Sequence, residues 1–213
     1  TALVVLAILL FSFLNKQFSP QKTAQRYFRA ALLGDWETAY GYLEVPEGSL
    51  MSQAHFLDTR DADAETAVTN LKVQETGSPA AADKNFMRTF TAYYTVKGES
   101  SSRTEEIQLV RQQEKNFLFF PKWRVSSGNI LAKDFVLFAP AGYEISVDQE
   151  PLTPIRKASD RTDTDDEEDA DLSTDDIAAA GINGYDTYVE NIFIGEHTVT
   201  ASAENLETGE STF

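Results

Sequence analysis

Few side chains in this sequence have the types and spacing that chemistry requires. Two histidines are present, His55 and His197, and neither has a partner at metal-ligand spacing, so no zinc site is predicted. His197 follows Gly195-Glu196 at the start of a strand, a structural setting. No cysteine occurs, which excludes disulfides and thiol catalysis within these residues. A Gly-x-Ser-x-Gly elbow, a Walker loop and a Rossmann glycine pattern are all missing. Ser102-Arg103-Thr104 and Ser126-Ser127-Gly128 read as turns, not as nucleophile settings.

The one dense cluster of metal-type ligands is acidic. Between Lys157 and Asp176 ten Asp or Glu residues stand against Lys157 and Arg161, half of the chain's net charge of −16. Asp163, Asp165 and Glu167 are the calcium candidates in this block. An EF-hand loop starting at Asp163 needs Gly at its sixth position and Glu at its twelfth, where Glu168 and Thr174 stand. The template fails, and the block is expected to be a solvated insertion, residues 157–176, open to loose cation binding or to a basic partner. No resident metal or cofactor is expected.

These residues need elements to position them, and the chain begins with the most distinctive one. Thr1 to Leu14 (TALVVLAILLFSFL) carries no charge. Fourteen residues rise about 21 Å, roughly two-thirds of a bilayer core. The run does not begin with Met and is expected to be the outer part of one membrane-spanning helix, residues 1–18, that continues upstream. A cleaved signal peptide fits less well, because Phe11 to Gln17 is too bulky for a small-residue cleavage site. A buried core helix fits less well too, since no polar face interrupts the run. Lys16 and Lys22 just after it weigh against an outside location.

With 42% hydrophobic and 11% aromatic residues, the rest of the 213-residue chain can build a packed core. The acidic balance disfavours nucleic acid and anionic lipid surfaces as partners.

Ser19-Pro20 is a helix start, with Ser as N-cap and Pro at the first helical position. Ala24, Tyr27, Phe28, Ala31 and Leu32 follow at helical spacing. Gly34 ends that helix and Asp35 caps another carrying Trp36, Ala39, Tyr40 and Leu43. A third short helix is predicted over Ser49 to Leu57. The period then becomes two: strands are predicted at Val68 to Gln74, Phe86 to Val96, Glu105 to Gln112, Phe117 to Phe120 and Trp123 to Val125. Helices followed by a strand meander predict an α+β domain with helices on one sheet face. After Phe135 short strands recur: Phe135 to Phe138, Tyr143 to Val147, Tyr188 to Phe193 and His197 to Ala201.

Three segments carry a resemblance: Ser19-Pro20 through Gly34-Asp35-Trp36, Tyr93-Tyr94-Thr95-Val96, and Trp123-Arg124-Val125-Ser126. Together they resemble the NTF2-like cone, a helix hairpin on a curved antiparallel sheet. More narrowly, they resemble the membrane-proximal domain of methicillin-resistance-type penicillin-binding proteins and of teicoplanin-resistance-associated envelope proteins. The resemblance covers 19–132, and the aromatic insertion Phe117 to Pro121 departs from it. Residues 133–213 resemble a small PEGA-type β-sandwich, through Pro140-x-Gly142-x-x-Ile145-x-Val147-Asp148 and Gly195-x-His197-x-Val199. Gln149 stands there in place of the usual turn glycine.

The resemblance implies a non-catalytic, single-pass, extracytoplasmic protein of a Gram-positive-type bacterial envelope. Such a protein would bind or sense a cell-wall component, or serve as spacer and dock for another envelope protein. Two alternatives accompany it. One is a ligand-binding or enzymatic cone, as in the ketosteroid isomerases, with Tyr40, Tyr94, Asp58 and His55 as candidates and Trp123 as a further ligand contact. The other is the stalk of a penicillin-binding-type enzyme whose catalytic domain follows. Tyr40 and Tyr94 lie in apolar stripes, which favours core filling over catalysis. The Phe117 to Phe120 run is expected to be either a partner-facing patch or a core β-bulge.

Overall fold

The structure, a computed structural model, describes residues 2–60, 68–77, 86–117, 119–160, 184–203 and 209–212. The fold is mixed α+β. It divides into two compact units: Thr1–Val45 with Arg60–Asn129, and Pro46–Thr59 with Ile130–Phe213.

The first unit begins with α1 (Ala2–Gln17) and α2 (Pro20–Leu32). Between them the Ser19 side chain accepts a hydrogen bond from the Lys22 amide at 3.2 Å, the capping that its sequence position predicts. Ala24, Phe28 and Leu32, four residues apart, are buried along one stripe of α2, while Lys22, Arg26 and Arg29 are exposed. Gly34, at φ +71°, reverses the chain, and Asp35 caps α3 (Trp36–Tyr40) by accepting from the Thr38 amide at 3.1 Å.

A five-stranded sheet follows in the order β1-β5-β4-β3-β2. Its strands are β1 (Leu43–Glu44), β2 (Val68–Glu75), β3 (Met87–Val96), β4 (Ser102–Asn116) and β5 (Phe120–Ser126). β2 to β5 pair antiparallel, and β1 runs parallel to β5. The Val125 amide donates to Tyr42 O at 2.8 Å and the Ser127 hydroxyl to Glu44 O at 2.6 Å, which hold β1 in place. Phe90, Ala92 and Tyr94 alternate on the buried face of β3, with Val73, Leu109 and Val125 buried on its neighbours.

Two strand predictions change. β4 extends well past Glu105 to Gln112 at both ends, because its terminal residues face solvent and carry no apolar alternation to announce them. The aromatic run is not a continuous strand. Phe117 has φ +47°, and a short turn closes with the Phe119 amide donating to Phe117 O at 2.7 Å. β5 starts only at Phe120, which is buried, whereas Phe117 and Phe119 are 73% and 76% exposed.

In the second unit β6 (Leu131–Pro140) pairs antiparallel with β9 (Tyr185–Phe193). A second sheet orders β11-β10-β7-β8, from β7 (Glu144–Val147), β8 (Glu150–Pro151), β10 (Thr198–Ser202) and β11 (Gly209–Thr212). Asp148 and Gln149 have φ values of +50° and +70°, so the β7–β8 turn takes the left-handed pair that such hairpins favour, without a glycine.

The short helix α4 (Gln53–Asp58) groups with this second unit, not with the contiguous 19–132 stretch that the sequence suggested. Buried Phe56 meets buried Phe193 edge-on, ring centroids 5.2 Å apart. Gly195 lies so close to Thr59 that a Cβ there would sit 2.5 Å from the threonine Cβ. These contacts join residues far apart in sequence, which no local pattern reveals.

Candidate functional site: an unshielded helix and a basic groove

Of the two tyrosines proposed for a reactive cone, Tyr94 is a core residue and Tyr40 is half-buried. Tyr94 is 5% exposed and its hydroxyl donates to Glu105 Oε1 at 2.9 Å. Burial, then the hydrogen bond to Glu105, raise its phenol pKa above the ordinary value, so at neutral pH it remains a donor. Burial also raises Tyr40, which is half-buried, with Arg124 opposing. Phe28 and Phe90, both fully buried, occupy the interior where a reacting group would need room.

Trp123 is buried in β5 and borders two hollows, of about 420 and 200 Å³, beside the α1–α2 junction. Its indole N–H has no hydrogen-bond partner among the described residues.

The other candidates are not brought to this interior. His55 and Asp58 lie on α4, in the second unit, so the four cone candidates do not share one unit. His55 belongs to the start of that helix: its amide donates to the Ser52 hydroxyl at 3.3 Å, and Nδ1 lies 2.8 Å from the same oxygen. His197 is 3% exposed, with Nδ1 2.6 Å from Asp148 Oδ2 and Nε2 2.5 Å from Phe193 O. Asp148 also accepts from the Thr198 amide at 2.9 Å, so this pair ties the β7–β8 turn to β10. Asp163, Asp165 and Glu167 lie outside the described residues. Among the described residues no three His, Cys, Asp or Glu side chains gather as metal ligands.

What the structure does present is an apolar helix without cover. No residue of α1 is buried, and nine large side chains from Leu3 to Phe13 are 52–81% exposed. Each gains about 1.5–3 kcal/mol on leaving water, so together they strongly favour an apolar environment. The β4–β5 turn adjoins this surface: exposed Phe117 stands 6.3 Å from the Phe18 ring, and buried Phe120, at the start of β5, stands 5.5 Å from Phe18 and 5.3 Å from Phe11. The aromatic run is therefore divided: Phe117 and Phe119 are exposed and Phe120 is buried.

A second feature lies beside the end of α1. An open groove of about 740 Å³ runs between α2 and the edge strand β2. Lys22, Arg26, Arg29 and Lys72 line it with four glutamines, and among the described residues no acidic one does. Lys22, Arg26 and Arg29 are spaced at i, i+4 and i+7, a signal readable in the sequence, but Lys72 joins them only through the fold.

The chain matches no protein-family model, no curated protein and no solved structure. No single described helix is long and apolar enough to cross a membrane. α1 and α2 pass that test only as a pair, bent by 46° at their junction.

Proposed function

We propose that this chain is a non-catalytic, membrane-held module of a bacterial cell envelope. α1 enters the bilayer, and an NTF2-like unit and a small PEGA-like β-unit stand outside it. The observation that carries this reading is the exposure of α1: none of its residues is buried, and among the described residues its large apolar side chains lack a partner surface of the size they need. At about 1.5 Å per residue its sixteen residues reach about 24 Å into a core of about 30 Å. α2 does not continue into the lipid in this reading, because it buries Ala24, Phe28 and Leu32 in the first unit and carries three cations. Membrane association would also cover Phe117 and Phe119, which otherwise face water.

The cations after α1 run against the outside placement by the positive-inside tendency, and an impermeant label applied to intact cells decides the sidedness. The work of the module is to hold a wall component or to act as spacer and dock, and these separate cleanly. The purified chain, incubated with washed bacterial wall fragments and sedimented, is expected to appear in the pellet and to be displaced by soluble fragments of the same wall. Equal recovery in the supernatant with and without fragments would remove the holding role and leave the spacer.

A further inference from the structure

We propose that the groove between α2 and β2 is a binding site for a phosphate ester, the group carried by anionic lipid heads and by soluble glycerol phosphates alike. The inference stands on the groove alone and does not need α1 to lie in a bilayer.

Charge placement sets the groove apart from the rest of the chain. α2 contains Lys22, Arg26 and Arg29 and no acidic residue, in a chain with 34 acidic side chains against 18 basic. Like charges at i, i+3 and i, i+4 oppose one another on a helix, and Lys22 stands in the first turn, where the helix dipole disfavours a cation. Local stability therefore gains nothing from this arrangement. Lys72 adds a fourth cation from the opposite wall, brought there by a strand whose pairing slips by a bulge between Thr69 and Lys72, with Asn70 at φ +58°.

These four charges are also uncompensated. None of the four forms an ion pair with an acidic side chain among the described residues. Elsewhere in the same unit Arg88 pairs with Glu75 at 2.6 Å and Arg103 with Glu99 at 2.5 Å. Arg26 makes a hydrogen bond to the neutral Gln17 side chain at 2.6 Å, which orients the guanidinium while leaving its charge uncompensated. Two guanidinium forks, two ammonium groups and the amides of Gln21 and Gln25 supply many donors and no carboxylate, the donor set that phosphate oxygens take. The volume lies in the range of small-ligand sites.

The test uses the full chain in micelles of a zwitterionic detergent. One arm titrates it with soluble glycerol phosphate and inorganic phosphate. The other dopes the micelle with phosphatidylglycerol and follows protection of Lys22 and Lys72 from amine-reactive labelling. Protection in the lipid arm alone assigns the headgroup as the source, and saturable binding in the soluble arm assigns a free phosphate ester. The variant Lys22→Gln/Arg26→Gln/Arg29→Gln/Lys72→Gln is expected to bind at least about tenfold more weakly, with an unchanged circular dichroism spectrum because all four side chains are exposed. The control Lys97→Gln/Lys133→Gln, which removes exposed charges outside the groove, is expected to bind as the parent does. Binding in neither arm, or binding that the control weakens as much as the groove variant, would overturn the proposal. Insertion of α1 is scored separately, by whether the chain needs detergent to stay dispersed.

Discussion

Replacing Leu6 and Leu9 of α1 by aspartate is expected to move the protein from the membrane fraction to the soluble fraction. Both side chains are 62% exposed, so the change leaves the packed units alone and acts on the environment of the helix. An aspartate near the centre of a membrane helix costs about 2.5–3.5 kcal/mol, and two cost about 5–7 kcal/mol. At about 1.4 kcal/mol per factor of ten this shifts partitioning by roughly 10⁴, enough to change the fraction outright. The readout is sedimentation with membranes after a carbonate wash. A double variant that still sediments would mean that α1 binds a protein surface or is not the anchor.

The second large effect concerns α4. Phe56→Ala removes a 2%-exposed ring from its contact with Phe193 and is expected to cost about 3–5 kcal/mol. If Pro46–Thr59 belongs to the second unit, the loss appears there. Amide hydrogen exchange in β6 and β9 should accelerate by roughly 10²–10³-fold while β3 and β4 keep their protection. Acceleration confined to β3 and β4 would place the helix with the first unit.

Caps are local, so Ser19 and Asp35 announced both helix starts, and Gly34 announced the reversal between them. The alternation of Phe90, Ala92 and Tyr94 likewise disclosed the buried face of β3. β4 was legible only in its middle, because a strand with solvent on most of its length has no apolar period to read. The site features were hidden for another reason: they are sums over distant segments. The groove needs Lys72 beside Arg26 and Arg29, and the aromatic surface needs Phe117 beside Phe18. A single positive φ at Phe117 decides that two aromatics of the run leave the core, and the run's composition alone reads equally well as strand.

If α1 holds the described units outside a membrane, a thiol placed on them is reachable from the medium in intact cells. These 213 residues contain no cysteine, so Ser101→Cys, at an exposed position just before β4, supplies the one thiol among them. Intact cells producing this variant are treated with a membrane-impermeant maleimide. The expected result is full labelling before lysis, with the labelled protein in the membrane fraction. Labelling only after lysis would contradict the account and put the basic groove on the cytoplasmic face.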